Sequence, residues 1–364
     1  MTDRARPSVA VIIPAYTMRR WEQIQKAVAS ARAQTIPPEV VVLCIDNNAD
    51  LLLQAESEWG KLSDAPPVKV IPNRHRNHLD GVDTHRKVHG TARRFGAGTA
   101  RNTAAESVAA EILAFLDDDA WAEPDWLEQL LAVYDSTSAV AVGGAPHPDF
   151  ETSRPAWFPR NFDWVFGCAY EGLPTEVAQL GHLIGANMSV RSTALAAIGG
   201  FHSVDFDDLD LSMRLAEKFG PGAVYYNPQA VVHHRVPAER VTWRYFRRRC
   251  LYVNREKVKA FHDMGAAANL KSERGFVWRA LRIELQHGVI EATGKNRRPG
   301  AYRSLAAMLI GITLAGFGHV RGRLDALLPG QESVRLPRKF NGPGRSPGSG
   351  SALAKLLRLE DLGR

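Results

Sequence analysis

Cysteine is scarce in this chain. Its 364 residues include three, Cys44, Cys168 and Cys250, widely separated and with no Cys-x-x-Cys pair. That spacing excludes a disulfide scaffold and a cysteine-rich zinc fold, and it fits isolated thiols in a reducing compartment. Long apolar runs are also missing. The best candidate, residues 305–317, holds two glycines and falls short of the ~20 residues of a spanning helix, so a buried or interfacial helix is expected. The start, Met-Thr-Asp-Arg-Ala-Arg-Pro, lacks the apolar stretch of a secretory signal, which predicts a cytoplasmic protein. No P-loop is present. Gly96-Ala-Gly98 lacks the third glycine of a dinucleotide fingerprint and follows a basic segment (Arg86, Lys87, Arg93, Arg94) instead of a first strand. Trp243-Arg-Tyr-Phe-Arg-Arg-Arg249 is basic and aromatic, but no DNA- or RNA-binding motif accompanies it, so no nucleic-acid partner is expected.

Charge is present but unevenly placed. The net formal charge is +7; residues 235–303 hold 17 Lys/Arg against 6 Asp/Glu, and residues 304–364 hold 9 against 4, so the first 234 residues are net acidic. An acidic front suits cation binding. A basic back suits an anionic partner, such as a membrane surface at the inner face or a phosphate-bearing acceptor, although a solvated basic helix face has the same composition. Three parts follow: a catalytic domain over 1–234, a basic helical extension over 235–330, and a flexible tail over 331–364, where Gly, Pro and Ser cluster at 341–350.

Short β-branched runs alternate with helical spacing along the front. Strands are predicted at 9–13, 40–45, 68–71, 112–116 and 139–142, and helices at 21–33, 100–108 and 124–134. A basic helix is predicted over 241–261. This alternation predicts an α/β fold with a mostly parallel central sheet flanked by helices. Ligands in such sheets bind beyond the carboxyl ends of the strands. Tyr16, Asp46 and the run Asp117-Asp118-Asp119 all stand at such ends. Adjacent carboxylates repel unless a cation neutralises them, and oxygen ligands suit Mg2+ or Mn2+. Alternation sends Asp117 and Asp119 to one side of an extended segment.

Seven stretches then occur in one order: Val11-Ile-Ile-Pro-Ala-Tyr16, Cys44-Ile-Asp46, Gly98-Thr-Ala-Arg-Asn102, Phe115-Leu-Asp-Asp-Asp119, Gly185-Ala-Asn-Met-Ser-Val-Arg191, Gly199-Gly-Phe201 with Asp207-Asp-Leu-Asp-Leu211, and Val232-His-His234. In this order, over residues 8–260, the chain resembles a bacterial-type family 2 glycosyltransferase with the A-type nucleotide-sugar-binding fold. The resemblance implies an inverting transfer from a UDP-, dTDP- or GDP-sugar to a hydroxyl of a saccharide, lipid-linked or small-molecule acceptor. It implies that Pro14, Ala15, Tyr16, Asp46, Arg101 and Asp118 serve the donor, and that Asp117 and Asp119 hold Mn2+ or Mg2+ with His233 or His234. It implies Asp208 as the base that takes the acceptor proton. The family's usual Glu-Asp pair is Asp207-Asp208 here, which leaves the contact of the shorter Asp207 open. A non-catalytic nucleotide-sugar binder of the same fold is the competing reading. A nucleotidyltransferase is disfavoured because the loop after the first strand, Pro14-Ala-Tyr-Thr-Met-Arg-Arg20, has no glycine.

Overall fold

The computed structural model describes residues 6–60, 66–74, 96–202, 206–261 and 301–327, with isolated positions at 64, 279, 282, 283 and 286. The Gly/Pro/Ser-rich tail lies outside the described residues. Nine strands form one sheet: β1 (Val9–Ala15), β2 (Val40–Ile45), β3 (Val68–Pro72), β4 (Ile112–Leu116), β5 (Ala120–Ala122), β6 (Ala141–Phe150), β7 (Ala178–Gln179), β8 (Asn187–Arg191) and β9 (Val224–Val236). The helices are α1 (Trp21–Arg32), α2 (Ala49–Trp59), α3 (Ala97–Glu106), α4 (Trp126–Ser136), α5 (Ser192–Ala197), α6 (Asp207–Phe219), α7 (Trp243–Phe261) and α8 (Ala301–Leu327).

The strand order is β3-β2-β1-β4-β8-β6-β9-β5, with β7 paired to β9. The half built from β3, β2, β1 and β4 is parallel, as the βα alternation predicts. The other half is mixed. β8 runs antiparallel between β4 and β6, and β5 and β7 are antiparallel to β9, while β6 and β9 are parallel.

Period-two alternation divides the core between the two faces. Val9, Val11 and Ile13 of β1 pack with Ile24, Leu43, Trp126 and Leu130 on one side. Ala10 and Ile12 pack with Cys44, Phe115, Met188 and Leu211 on the other. A third cluster joins Phe158, Phe162, Phe166, Phe246 and Met308, which ties a 3-10 turn, Arg160–Phe166, to α7 and α8. All three cysteines are buried free thiols.

Two elements are longer than their sequence signals. The strand expected at 139–142 runs on through Gly143-Gly144 to Phe150, with a register shift at Gly144/Ala145. Glycine is there for space: a Cβ on Gly144 would lie 2.1 Å from the Ala230 carbonyl oxygen. The apolar run 305–317 sits inside a 27-residue helix, of which Tyr302–Asp325 is long and apolar enough to cross a membrane by length and composition. The run looked too short because Arg303, His319, Arg321 and Arg323 interrupt the apolar pattern without interrupting the helix.

Candidate active site and metal-binding cluster

Four parallel strands end at one crevice, and their termini carry the polar groups. β1 delivers Tyr16. Pro14 and Ala15 are themselves buried in the strand. β2 delivers Asp46, held there because its amide donates to the Ala15 carbonyl at 2.7 Å. Asn47 takes a left-handed φ of 49°, and the turn ends in Asn48, whose side chain caps α2 by accepting from the Leu51 amide at 3.0 Å. Asn73, just past β3, donates from Nδ2 to Asp46 Oδ1 at 2.8 Å and accepts at Oδ1 from the Thr103 hydroxyl at 2.8 Å. Asp46 is thus fixed through Oδ1, and its Oδ2 accepts no hydrogen bond among the described residues.

β4 delivers the three aspartates. Asp118 and Asp119 are buried, and Asp117 is partly exposed. One ligand atom each from Asp117, Asp119 and His234 lie within 4.8 Å of one another. The His-His doublet is separated by strand alternation. His234 turns inward, with Nε2 3.3 Å from Asp119 Oδ1 and Nδ1 3.6 Å from Cys168 Sγ. His233 turns to the other face of β9, stacks on Trp121 with ring centres 5.2 Å apart, and meets Glu123 Oε1 at 2.6 Å. The metal-ligand alternative at His233 is therefore replaced by His234 alone. Two carboxylates and an imidazole converging from β4 and β9 are a donor set that fits Mn2+ or Mg2+.

Arginines bracket this cluster. Arg20, at the start of α1, ion-pairs with Asp118 and reaches Asp119 Oδ2 at 2.6 Å. Its guanidinium lies over Tyr16, 5.5 Å from the ring centre. Arg101, buried on α3, pairs with Asp117 at 2.7 Å and with Asp207, and it donates to the Gly185 carbonyl at 3.1 Å. Its terminal nitrogens thus meet two carboxylates and a carbonyl, and it bridges the β4 cluster to α6. Asp118 likewise faces Arg20 and stands outside the three-residue cluster. Burial opposes the charge of Asp119, but His234 and Arg20 outweigh it and hold the carboxyl well below the usual range. Burial would likewise lower His234, but Asp119 and Cys168 hold its imidazole well above the usual range.

α6 begins at Asp207 with three acids in its first turn, the favoured sign at a helix N-terminus. Asp207 faces Arg101. Asp208 accepts from the Gly185 amide at Oδ2 (3.0 Å) and from its neighbour Leu209 at Oδ1 (2.8 Å). Burial, and after it the adjacent Asp207, push the Asp208 carboxyl up to about 6. The motif Gly199-Gly-Phe201 is placed by Asn102, which donates to the Phe201 carbonyl and accepts from its amide, both at 2.8 Å. Both glycines have left-handed φ, 77° and 79°, and a Cβ on Gly200 would lie 2.6 Å from Asn102. The sequence reading missed Arg20, Asn73 and Cys168. Arg20 alone had a local signal, the Arg19-Arg20 pair after β1.

Comparison with known proteins agrees with this arrangement. The profile described as Glycosyl transferase family 2 matches residues 83–199. A glucosyl-dolichyl phosphate glucuronosyltransferase of Haloferax volcanii is 29% identical over 238 residues, covering 63% of this chain and 69% of that protein. A putative glycosyltransferase, EpsH, of Bacillus subtilis is 26% identical over 125 residues, 34% of this chain and 30% of that one. Among solved structures, a mannosyltransferase from Pyrobaculum calidifontis in complex with GDP-Man and Mn2+ superposes with a TM-score of 0.54 at 17% identity, covering 88% of this chain and 87% of that one. That likeness shows the shared A-type fold.

Proposed function

We propose that this chain, which is similar to family 2 glycosyltransferases and shares the A-type fold, moves a sugar from a nucleoside-diphosphate sugar to an acceptor hydroxyl with inversion. The observation that carries this is the convergence of Asp117, Asp119 and His234 within 4.8 Å, with Arg101 pairing both to Asp117 and to Asp207 of α6. A divalent cation held by these three residues supplies Lewis-acid charge to the leaving diphosphate. Asp46 accepts a base N–H or a ribose hydroxyl, and Tyr16 lines the same end of the crevice. Asp208 takes the acceptor proton as that oxygen attacks the anomeric carbon, and the bond to the diphosphate oxygen breaks on the opposite face. A carboxyl raised to about 6 is ionised at neutral pH yet more basic than an ordinary aspartate, which suits that task. Asp207 and Arg101 are positioning residues. The Haloferax relative is named for a dolichyl phosphate-linked substrate, which favours a lipid-phosphate-linked saccharide as acceptor at the cytoplasmic face of a membrane.

A thermal-shift panel of UDP, dTDP and GDP, with and without Mn2+, tests the reading. One nucleotide should stabilise the protein only with metal, by about 2.7 kcal/mol at a hundredfold excess over Kd. A shift indifferent to Mn2+ would remove the metal cluster from donor binding.

Arg20 acts in this scheme as the charge that neutralises Asp118 and Asp119 before metal arrives. Arg20→Gln should therefore tighten nucleotide-free Mn2+ binding roughly tenfold, because one nearby positive charge is worth a kcal/mol or more at an effective dielectric near 20. Titration followed by the EPR signal of free Mn2+ measures this. An unchanged affinity would show that Arg20 does not compete for the site.

A further inference from the structure

α8 presents a second feature that the transfer chemistry does not use. Its outward side carries a row of large apolar residues: Leu309, Ile310, Phe317, Val320 and Leu324 are 41–59% exposed, and Tyr302 is 67% exposed. At about 100° per residue they fall on one stripe, with the exposed Thr313 among them. Arg303, Arg321 and Arg323 are exposed beside it near the two ends. Large apolar side chains in a contiguous exposed row mark an interaction surface.

The inward side shows how that surface is used. α8 packs on α7 so closely that a Cβ on Gly318 would lie 2.2 Å from the Leu251 carbonyl oxygen, and one on Gly322 would lie 2.5 Å from that of Arg255. Arg255 of α7 pairs with Asp325 of α8 at 2.7 Å, and Asp325 also meets Arg321 at 3.2 Å. α8 is therefore bound along its length to a helix that carries Arg244, Arg247, Arg248, Arg249, Arg255 and Lys257. Those charges cannot enter hydrocarbon without large cost. A helix so tied cannot cross a bilayer, although its length and composition would permit it. It can lie along one, with the apolar stripe in the acyl boundary and the flanking arginines among anionic headgroups.

The packing also links this helix to the catalytic crevice. Gly311 of α8 has its would-be Cβ 2.6 Å from Phe162 in the 3-10 turn, and Asn161 of that turn reaches Met308. The turn ends at Gly167-Cys168, both of which lie against His234 of the metal cluster.

We infer that α8 is an in-plane membrane helix, which seats the enzyme on an anionic bilayer with Leu309, Ile310, Phe317, Val320 and Leu324 immersed. The inference rests on the lipid-linked-acceptor reading and adds to it the surface that meets the lipid. The native cysteines are all buried, so Leu309→Cys, Phe317→Cys and Leu324→Cys can each carry a polarity-sensitive fluorophore selectively in the full-length protein. With vesicles of phosphatidylcholine containing roughly a third phosphatidylglycerol, all three probes should shift to the blue. All three should be quenched more by shallow than by deep nitroxide lipids. Leu309→Glu/Phe317→Glu should lower the vesicle-bound fraction at least tenfold on flotation. Its Mn2+-dependent nucleotide binding should stay unchanged. Graded depth from Leu309 to Leu324 would overturn the inference in favour of a spanning helix. Unchanged flotation of the double variant, or a dimer in solution that the variant makes monomeric, would overturn it in favour of another lipid-binding surface or a second copy of the chain. Loss of nucleotide binding by the unmodified protein would instead strike the transfer reading.

Discussion

Asp208→Asn is expected to lower sugar transfer by roughly 10²–10⁴-fold, the usual worth of a positioned general base, while leaving Mn2+-dependent nucleotide binding near the unmodified level. The variant keeps the shape of the side chain and an oxygen to accept from the Gly185 amide, but it has no basic carboxylate for the acceptor proton. Unmodified protein should show the matching pH dependence. The base works only when ionised. Burial and Asp207 raise its carboxyl to about 6, so activity should rise with pH through that value and be lost below it. An ordinary aspartate would put this limb about two units lower. Initial rates from pH 5 to 8, with metal and donor saturating, measure it. A variant with unimpaired turnover, or an acid limb near 4, would remove Asp208 from the chemistry.

Asp119→Asn should weaken Mn2+ binding by at least roughly 100-fold, the upper range for losing an outer-shell partner, since a direct ligand is worth no less. Asp119 meets His234 through one oxygen and Arg20 through the other, so its loss also frees His234 from the carboxylate that raises its pKa. Two measurements separate these effects. Isothermal titration gives the affinity. Titration in buffers of different ionisation enthalpy gives the protons released. In unmodified protein, Mn2+ must displace the His234 proton, so binding should release a proton and strengthen as pH rises. In Asp119→Asn the residual binding should release less. Full affinity in that variant would place the metal elsewhere. His233→Ala makes the contrast: on the far side of β9, its loss should leave Mn2+ affinity within a factor of two or so of the original, because it contributes no ligand.

Much of the fold was legible because its parallel half is written locally. The apolar runs at β1, β2 and β4 are buried on both faces, and such strands need no partner information to be recognised. The aspartates, Asp46 and the α6 carboxylates stand at element ends, where the sequence marks a boundary and a polar group together. The mixed half of the sheet was less legible. β8 and β9 find partners from distant segments, and Gly143-Gly144 reads as a break although β6 continues through it. The ion pairs of Arg101 were hidden because its partners, Asp117 and Asp207, lie 16 and 106 positions away in the chain. Arg20 showed only as one of two adjacent arginines.

The sequence by itself determined the chemistry available: carboxylates at strand ends, an acidic helix start, and a basic back half. Those follow from residue type and from periods of 2 and 3.6, which are local properties. Only the tertiary structure decided which histidine joins the metal cluster, because one step along β9 exchanges the two faces of the sheet. Only it decided that Arg101 serves the protein's own acids. It also decided that α8, long enough to cross a bilayer, is bound to a charged helix along its inner side.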